Sequence, residues 1–168
     1  MLRLVLVALL FCGCSGSQGR ASAPLGPPDL QTANSSRPGE RIELEKVLVP
    51  GKSTVIEFYS DNCPPCRQME PVVEKIAAAH PEVAFRKLNI DRSGMQQIDF
   101  DSPLAAQLQV HSVPAFRIYD EQGKLTAEGD VAKDQMRTWY SQAQAIDQAE
   151  RSPEGRQLLK DYESPTPH

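Results

Sequence analysis

A chain of 168 residues can bury one sizeable core, so a single domain with extensions is expected. Its 18 Lys and Arg against 22 Asp and Glu leave a formal charge of −4. With no basic excess to track a phosphate backbone, nucleic acid is excluded as an expected partner, and acidity this mild speaks for solubility and little else.

The chain opens with one positive residue, Arg3, followed by an unbroken apolar run from Leu4 to Phe11. That run is far short of the roughly 20 residues that span a bilayer. It has the form of a secretory signal. Phe11-Cys12-Gly13-Cys14-Ser15 resembles a bacterial lipoprotein signal, in which a cysteine after a small residue is lipidated and becomes the new N-terminus. Cys14, preceded by Gly13, is the candidate, and a plain cleaved signal is the alternative. Residues 1–14 are therefore read as a lipoprotein-type signal peptide, which places the mature chain outside the cytoplasm, in a periplasm, held to a membrane by lipid. Residues 15–40, rich in Ser, Gly, Pro, Ala and Asn, lack apolar periodicity and are expected to form a flexible tether.

Ordered patterning is expected over 41–150. Ile42 and Leu44 suggest a short strand or turn, and Pro50-Gly51 punctuates. Residues 53–60 are β-branched and aromatic and predict a buried strand. From Cys63 to about His80 the apolar positions Met69, Val72, Val73, Ile76 and Ala77 keep helical spacing. Asp61 or Asn62 is a candidate cap, Pro71 should kink this helix, and Pro81 ends it. Val83 to Ile90 predicts a second strand, completing a βαβ unit with a parallel pair. A short helix is expected over Ser102 to Leu108, and a hairpin over Ala115–Tyr119 and Leu125–Glu128. Asp134 is expected to cap a final helix carrying Met136, Trp139, Tyr140, Ala143 and Ile146, with both aromatics in the core. Residues 151–168 read as a polar tail.

The chemistry centres on Cys63-Pro64-Pro65-Cys66, between the first strand and its helix. A helix N-terminus presents free N–H groups and a positive dipole end, which favours thiolate. Cysteines in CxxC motifs at such positions have pKa values of roughly 3.5–7.5. Cys63 is then an exposed nucleophile, Cys66 the buried resolving partner, and the reaction thiol–disulfide exchange through a mixed disulfide. A structural disulfide and half of a zinc site are the alternatives. Zinc usually takes four ligands, yet Cys12 and Cys14 lie in the apolar leader and His80, His111 and His168 show no paired spacing. Glu57 shares a strand face with Val55 and Tyr59, which argues for burial. A buried carboxyl has a raised pKa and is suited to move a proton to or from Cys66 through water. His111 has no spacing that supports catalysis and is expected at the surface.

These residues together resemble the thioredoxin family over about 41–148. Glu57-Phe58-Tyr59 leading to Cys63-Pro64-Pro65-Cys66 is similar to its strand and active-site loop, and Pro71 to the proline inside its active-site helix. Lys87-Leu88-Asn89-Ile90-Asp91 is similar to its third-strand motif, and Val113-Pro114 to its cis-proline loop. The pattern departs at Asn62, which replaces a tryptophan, at Glu57, which replaces an aspartate, and at a longer 92–110 segment. The resemblance implies an α/β fold with a central mixed sheet flanked by helices. It also implies Lys87 paired with Glu57, and a substrate edge at Val113 and Pro114 beside Pro64 and Pro65. No cofactor is implied. The expected activity is reduction of disulfide-containing proteins outside the cytoplasm by a monomer recharged by a membrane thiol donor. Disulfide oxidase, isomerase and non-catalytic binding module are the alternatives.

Overall fold

The structure, a computed structural model, describes residues 29–163. The expected signal peptide and Cys14 lie outside them. The elements in chain order are β1 (Leu30–Thr32), α1 (Leu44–Val47), β2 (Thr54–Tyr59), α2 (Pro64–Ala79), β3 (Ala84–Asn89), α3 (Pro103–Leu108), β4 (Ala115–Tyr119), β5 (Leu125–Glu128), α4 (Gly129–Arg151) and α5 (Pro153–Glu163). One five-stranded sheet runs in the order β1-β3-β2-β4-β5. β1 and β2 flank β3 in parallel, while β4 is antiparallel to both β2 and β5. The expected βαβ unit, hairpin and C-terminal helix are all present.

The sheet divides the core in two. Alternate residues of a strand point to opposite faces, so the central strand supplies both. Val55 joins Val73, Ile76 and Ala77 of α2, Phe85, Ile118 and Met136 of α4, with Trp139 and Tyr140 packed at the edge. Ile56 and Phe58 join Leu88, Ile90, Leu104 and Val110 on the α3 side. The parity of Val55 gives Glu57 and Tyr59 the face that α2 covers. Full burial of β2 except at its last residue reflects a strand covered on both sides.

Four local expectations are corrected. The tether reading fails from residue 29 onward. β1 pairs with β3 through Leu30 opposite Phe85, and the Asn34 side chain makes two hydrogen bonds with the Asn89 backbone, at 2.8 and 3.0 Å. Gly39, with φ +74°, lies so close to the 91–92 backbone that a Cβ would sit 2.6 Å from Arg92 N. This segment is ordered by the sheet it lies against, and its own apolar content is too low to signal that. Residues 44–47 form one helical turn where a strand or turn was expected. Helix α4 starts at Gly129, five residues before the expected cap Asp134, which instead pairs with Arg137 inside the helix. Part of the polar tail forms α5, packed against α4, with Gly155 N–H donating to Ser152 Oγ at 2.9 Å.

Candidate active site

β2 ends at Tyr59, and a tight Ser60-Asp61-Asn62 turn delivers the chain to α2. The cap is Cys63 itself: its sulfur accepts from Cys66 N–H at 3.1 Å. Asp61 and Asn62, the expected caps, serve other partners. Pro64 and Pro65 occupy the first two helical positions, where a missing N–H costs nothing and the fixed φ suits a helix start. Cys63 and Cys66 form a disulfide with Cα atoms 5.3 Å apart.

Both sulfur-bearing residues are buried, Cys63 at 1% exposure and Cys66 at 4%. The expectation of an exposed Cys63 is corrected. The loop at Val113-Pro114, joined by a cis peptide bond, covers it, and Cys63 Sγ lies 3.8 Å from the Val113 carbonyl oxygen. Val113 and Pro114 are themselves half-buried, and Pro64 and Pro65 are exposed. Of the four residues expected to form the substrate edge, Val113 contacts the Cys63 sulfur, and Pro64 and Pro65 follow Cys63 in the chain. His111 is exposed, as expected.

Glu57 is 2% exposed and its Oε2 has no hydrogen-bond partner. Burial raises its pKa to about 7; the Lys87 charge opposes the rise and the Glu70 charge adds to it. Lys87 stands opposite Glu57 in the parallel β2–β3 register. The expected Glu57–Lys87 pair is nevertheless not a hydrogen-bonded one. Lys87 Nζ is 2.5 Å from Glu70 Oε1 of α2 and 4.8 Å above the Tyr59 ring. Burial by itself would lower the pKa of Lys87, but the hydrogen bond it donates to Glu70 and the charges of Glu57 and Glu70 raise it. A cavity of about 250 Å³ is lined by Glu57, Cys66, Arg67, Glu70 and Lys87, among others. It holds room for several waters and brings the buried acid and the second cysteine to one space.

The turn before Cys63 holds residues that the motif alone did not single out. Asn62 Nδ2 donates to Asp91 Oδ2 at 3.1 Å and to the Met95 and Gln97 carbonyls, both at 3.2 Å. Asp91, 5% exposed, also accepts from Ser60 Oγ at 2.7 Å and from Asp99 N–H at 3.0 Å. Arg92 adds an ion pair to the buried Asp99 at 2.6 Å. The first part of the longer 92–110 segment is thereby fastened to the residue next to the first cysteine. The signal lay in the Ser-Asp-Asn cluster, a turn composition whose side chains bond backbone nearby. Among the described residues, no group of three or more His, Cys, Asp or Glu is placed to hold a metal ion.

The sequence is 31% identical over 90 residues to a thioredoxin-like protein of Fusarium culmorum, covering 52% of this chain and 68% of that one. It is 36% identical over 91 residues to the chloroplastic thioredoxin-like protein HCF164 of Arabidopsis thaliana, covering 54% of this chain and only 32% of that longer protein. Among solved structures, the thioredoxin of Malassezia sympodialis superposes with a TM-score of 0.48 at 22% identity, over 73% of this chain and 97% of that one. The family model described as thioredoxin matches residues 42–142. That span takes in the disulfide, the buried acid and the loop over Cys63, and the chain belongs to the thioredoxin family of thiol–disulfide oxidoreductases.

Proposed function

We infer that this chain is a protein-disulfide reductase that acts outside the cytoplasm. The single observation that carries the direction is the makeup of the α2 N-terminus. A dithiol is oxidising when its reduced form is stabilised, chiefly through a stabilised thiolate. The N–H groups at the start of a helix are the usual stabilisers. Here Pro64 and Pro65 remove the first two, and neither carries a charge. Cys66 N–H donates to the Cys63 sulfur at 3.1 Å with no neighbour to assist it from within the motif. A thiolate held by so little leaves the dithiol willing to give up its electrons.

The reaction follows from the arrangement. Cys63 thiolate attacks one sulfur of a substrate disulfide, that S–S bond breaks, and the first substrate thiolate leaves. Cys66 then loses its proton to Glu57 through water in the shared cavity and attacks Cys63 Sγ. The second substrate thiolate leaves and the Cys63–Cys66 disulfide closes. The substrate gains two electrons and this chain loses two, to be returned by a membrane thiol donor. Val113 and Pro114 present the backbone edge along which an extended substrate segment lies. The N-terminal sequence, with Cys14 as a lipidation site, supports a chain held at a membrane face in a periplasm. A second reading has one observation in its favour: with both cysteines buried, the disulfide of a binding module would resist reduction.

Equilibration with glutathione separates the readings. The reductase should have a potential more negative than about −200 mV, on a scale where thioredoxin lies near −270 mV and strong oxidants near −120 mV. Pro65→His should raise it. A value near about −120 mV would overturn the direction, and failure of a mild dithiol to open the bond would favour the binding module. The mass of the mature chain reads the lipid at Cys14, and an unmodified N-terminus downstream of it would leave a soluble secreted protein.

A further inference from the structure

Three charged groups meet beside Cys66, and the cation is bonded to the less obvious acid. Lys87 and Glu57 are register partners on adjacent strands. Glu57 is enclosed, and its Oε2 lacks any hydrogen-bond partner. A buried carboxylate is the group that gains most from an ammonium. The ammonium instead bonds Glu70, whose side chain is 51% exposed, while the Lys87 side chain is only 11% exposed. The Tyr59 ring lies 4.8 Å below Nζ as a further contact of the ammonium. We propose that Glu70 is a positioning residue for Glu57: it draws the Lys87 ammonium to the α2 wall of the cavity and leaves the buried carboxyl unpaired.

Among the described residues that line the cavity, Arg67 is the one cation besides Lys87, and it is engaged elsewhere. Arg67, on the cavity wall, donates from Nη1 to the Asp61 carbonyl at 2.9 Å. Asp61 accepts from Asn89 Nδ2 at 2.8 Å. β4 places the uncharged Phe116 opposite Glu57. β1 brings Thr32 to the cavity, and α2 brings Cys66. The fields that act on Glu57 are those of Lys87, which favours its charged form, and Glu70, which disfavours it. One surface carboxylate therefore acts twice in the same direction: by its own charge, and by occupying the lysine. Through both it adds to the rise that burial gives the Glu57 carboxyl. The consequence for turnover rests on Glu57 being the proton carrier for Cys66.

The test is a carboxyl NMR titration of Glu57 in the full chain, for the wild type, Glu70→Gln, Lys87→Met and the double variant. Glu70 is half-exposed, so its replacement spares the core. Glu70→Gln should lower the Glu57 midpoint by about one pH unit or more, since an opposite charge brought within reach shifts a carboxyl by about 1–3 units. Lys87→Met should raise it. In the Lys87→Met background the effect of Glu70→Gln should shrink to its direct charge alone. An unmoved midpoint in Glu70→Gln, or an equal shift in both backgrounds, overturns the proposal. The pH profile of mixed-disulfide resolution is read separately. A moved midpoint with an unmoved profile removes the proton-carrier reading and leaves the positioning role of Glu70 standing.

Discussion

Replacing Glu57 with glutamine removes one titration from the core with almost no change of volume. The native carboxyl has its pKa raised from 4.5 to about 7 by burial. At about 1.4 kcal/mol per unit, the ionised form is disfavoured in the folded protein by about 3 kcal/mol. Between those two values the native state holds a proton that the unfolded state has lost. The slope of stability with pH is then negative, so stability falls as pH rises through this window and stays lowered above it. The glutamine variant has no such fall. Urea unfolding of both proteins, disulfide intact, from about pH 4 to about pH 8 isolates the effect. The stability of Glu57→Gln relative to wild type should increase by about 3 kcal/mol from the acid end to the alkaline end. Any pH-independent cost of burying an amide cancels in that comparison. A difference that stays flat across the range would show that Glu57 meets the folded and unfolded environments equally, and would refute the burial argument.

Cys66→Ser should accumulate a mixed disulfide with substrate through Cys63, whereas Cys63→Ser should trap nothing; capture by the latter would reverse the roles of the two sulfurs. Asn62→Ala removes the donor that holds Asp91 and the Met95 and Gln97 carbonyls. It should cost about 1–3 kcal/mol and speed amide exchange over 92–99, and unchanged exchange there would show that the segment is held by its Asp91–Asp99 and Arg92–Asp99 contacts without Asn62.

What could be read in advance was whatever the chain writes locally. Val55, Ile56 and Phe58 announce a strand whatever surrounds them, and Met69, Val73, Ile76 and Ala77 announce a helix by their spacing alone. The hairpin is written in Glu121-Gln122-Gly123-Lys124, where Gly123 takes φ +79°. Leu30–Thr32 carries no such message. Three residues with one apolar side chain become a strand only because β3 offers a free edge, and Asn34 is buried only because Asn89 meets it. The cap of α2 was missed for the same reason. Asp61 and Asn62 are good caps by type, but Asn89 and Asp91 engage them from across the sheet. The burial of Cys63 depends on Val113, fifty residues away. Glu57, Lys87 and Cys66 could be named from sequence, but not the choice Lys87 makes between two acids. Glu70, a helix residue of ordinary type, gave no sign of its part in that choice.

The short strand at Leu30–Thr32 also decides where this domain can be cut. A fragment begun at residue 41 or 42, where the family match begins, would lack β1 and the Asn34 clasp. β3 would then border solvent, with the backbone groups that now bond β1 laid bare beside Phe85 and Arg86. Unpaired strand borders invite pairing with another chain. Such a fragment would retain every residue of the disulfide site and still tend to self-associate, so expression for study should start no later than Asp29.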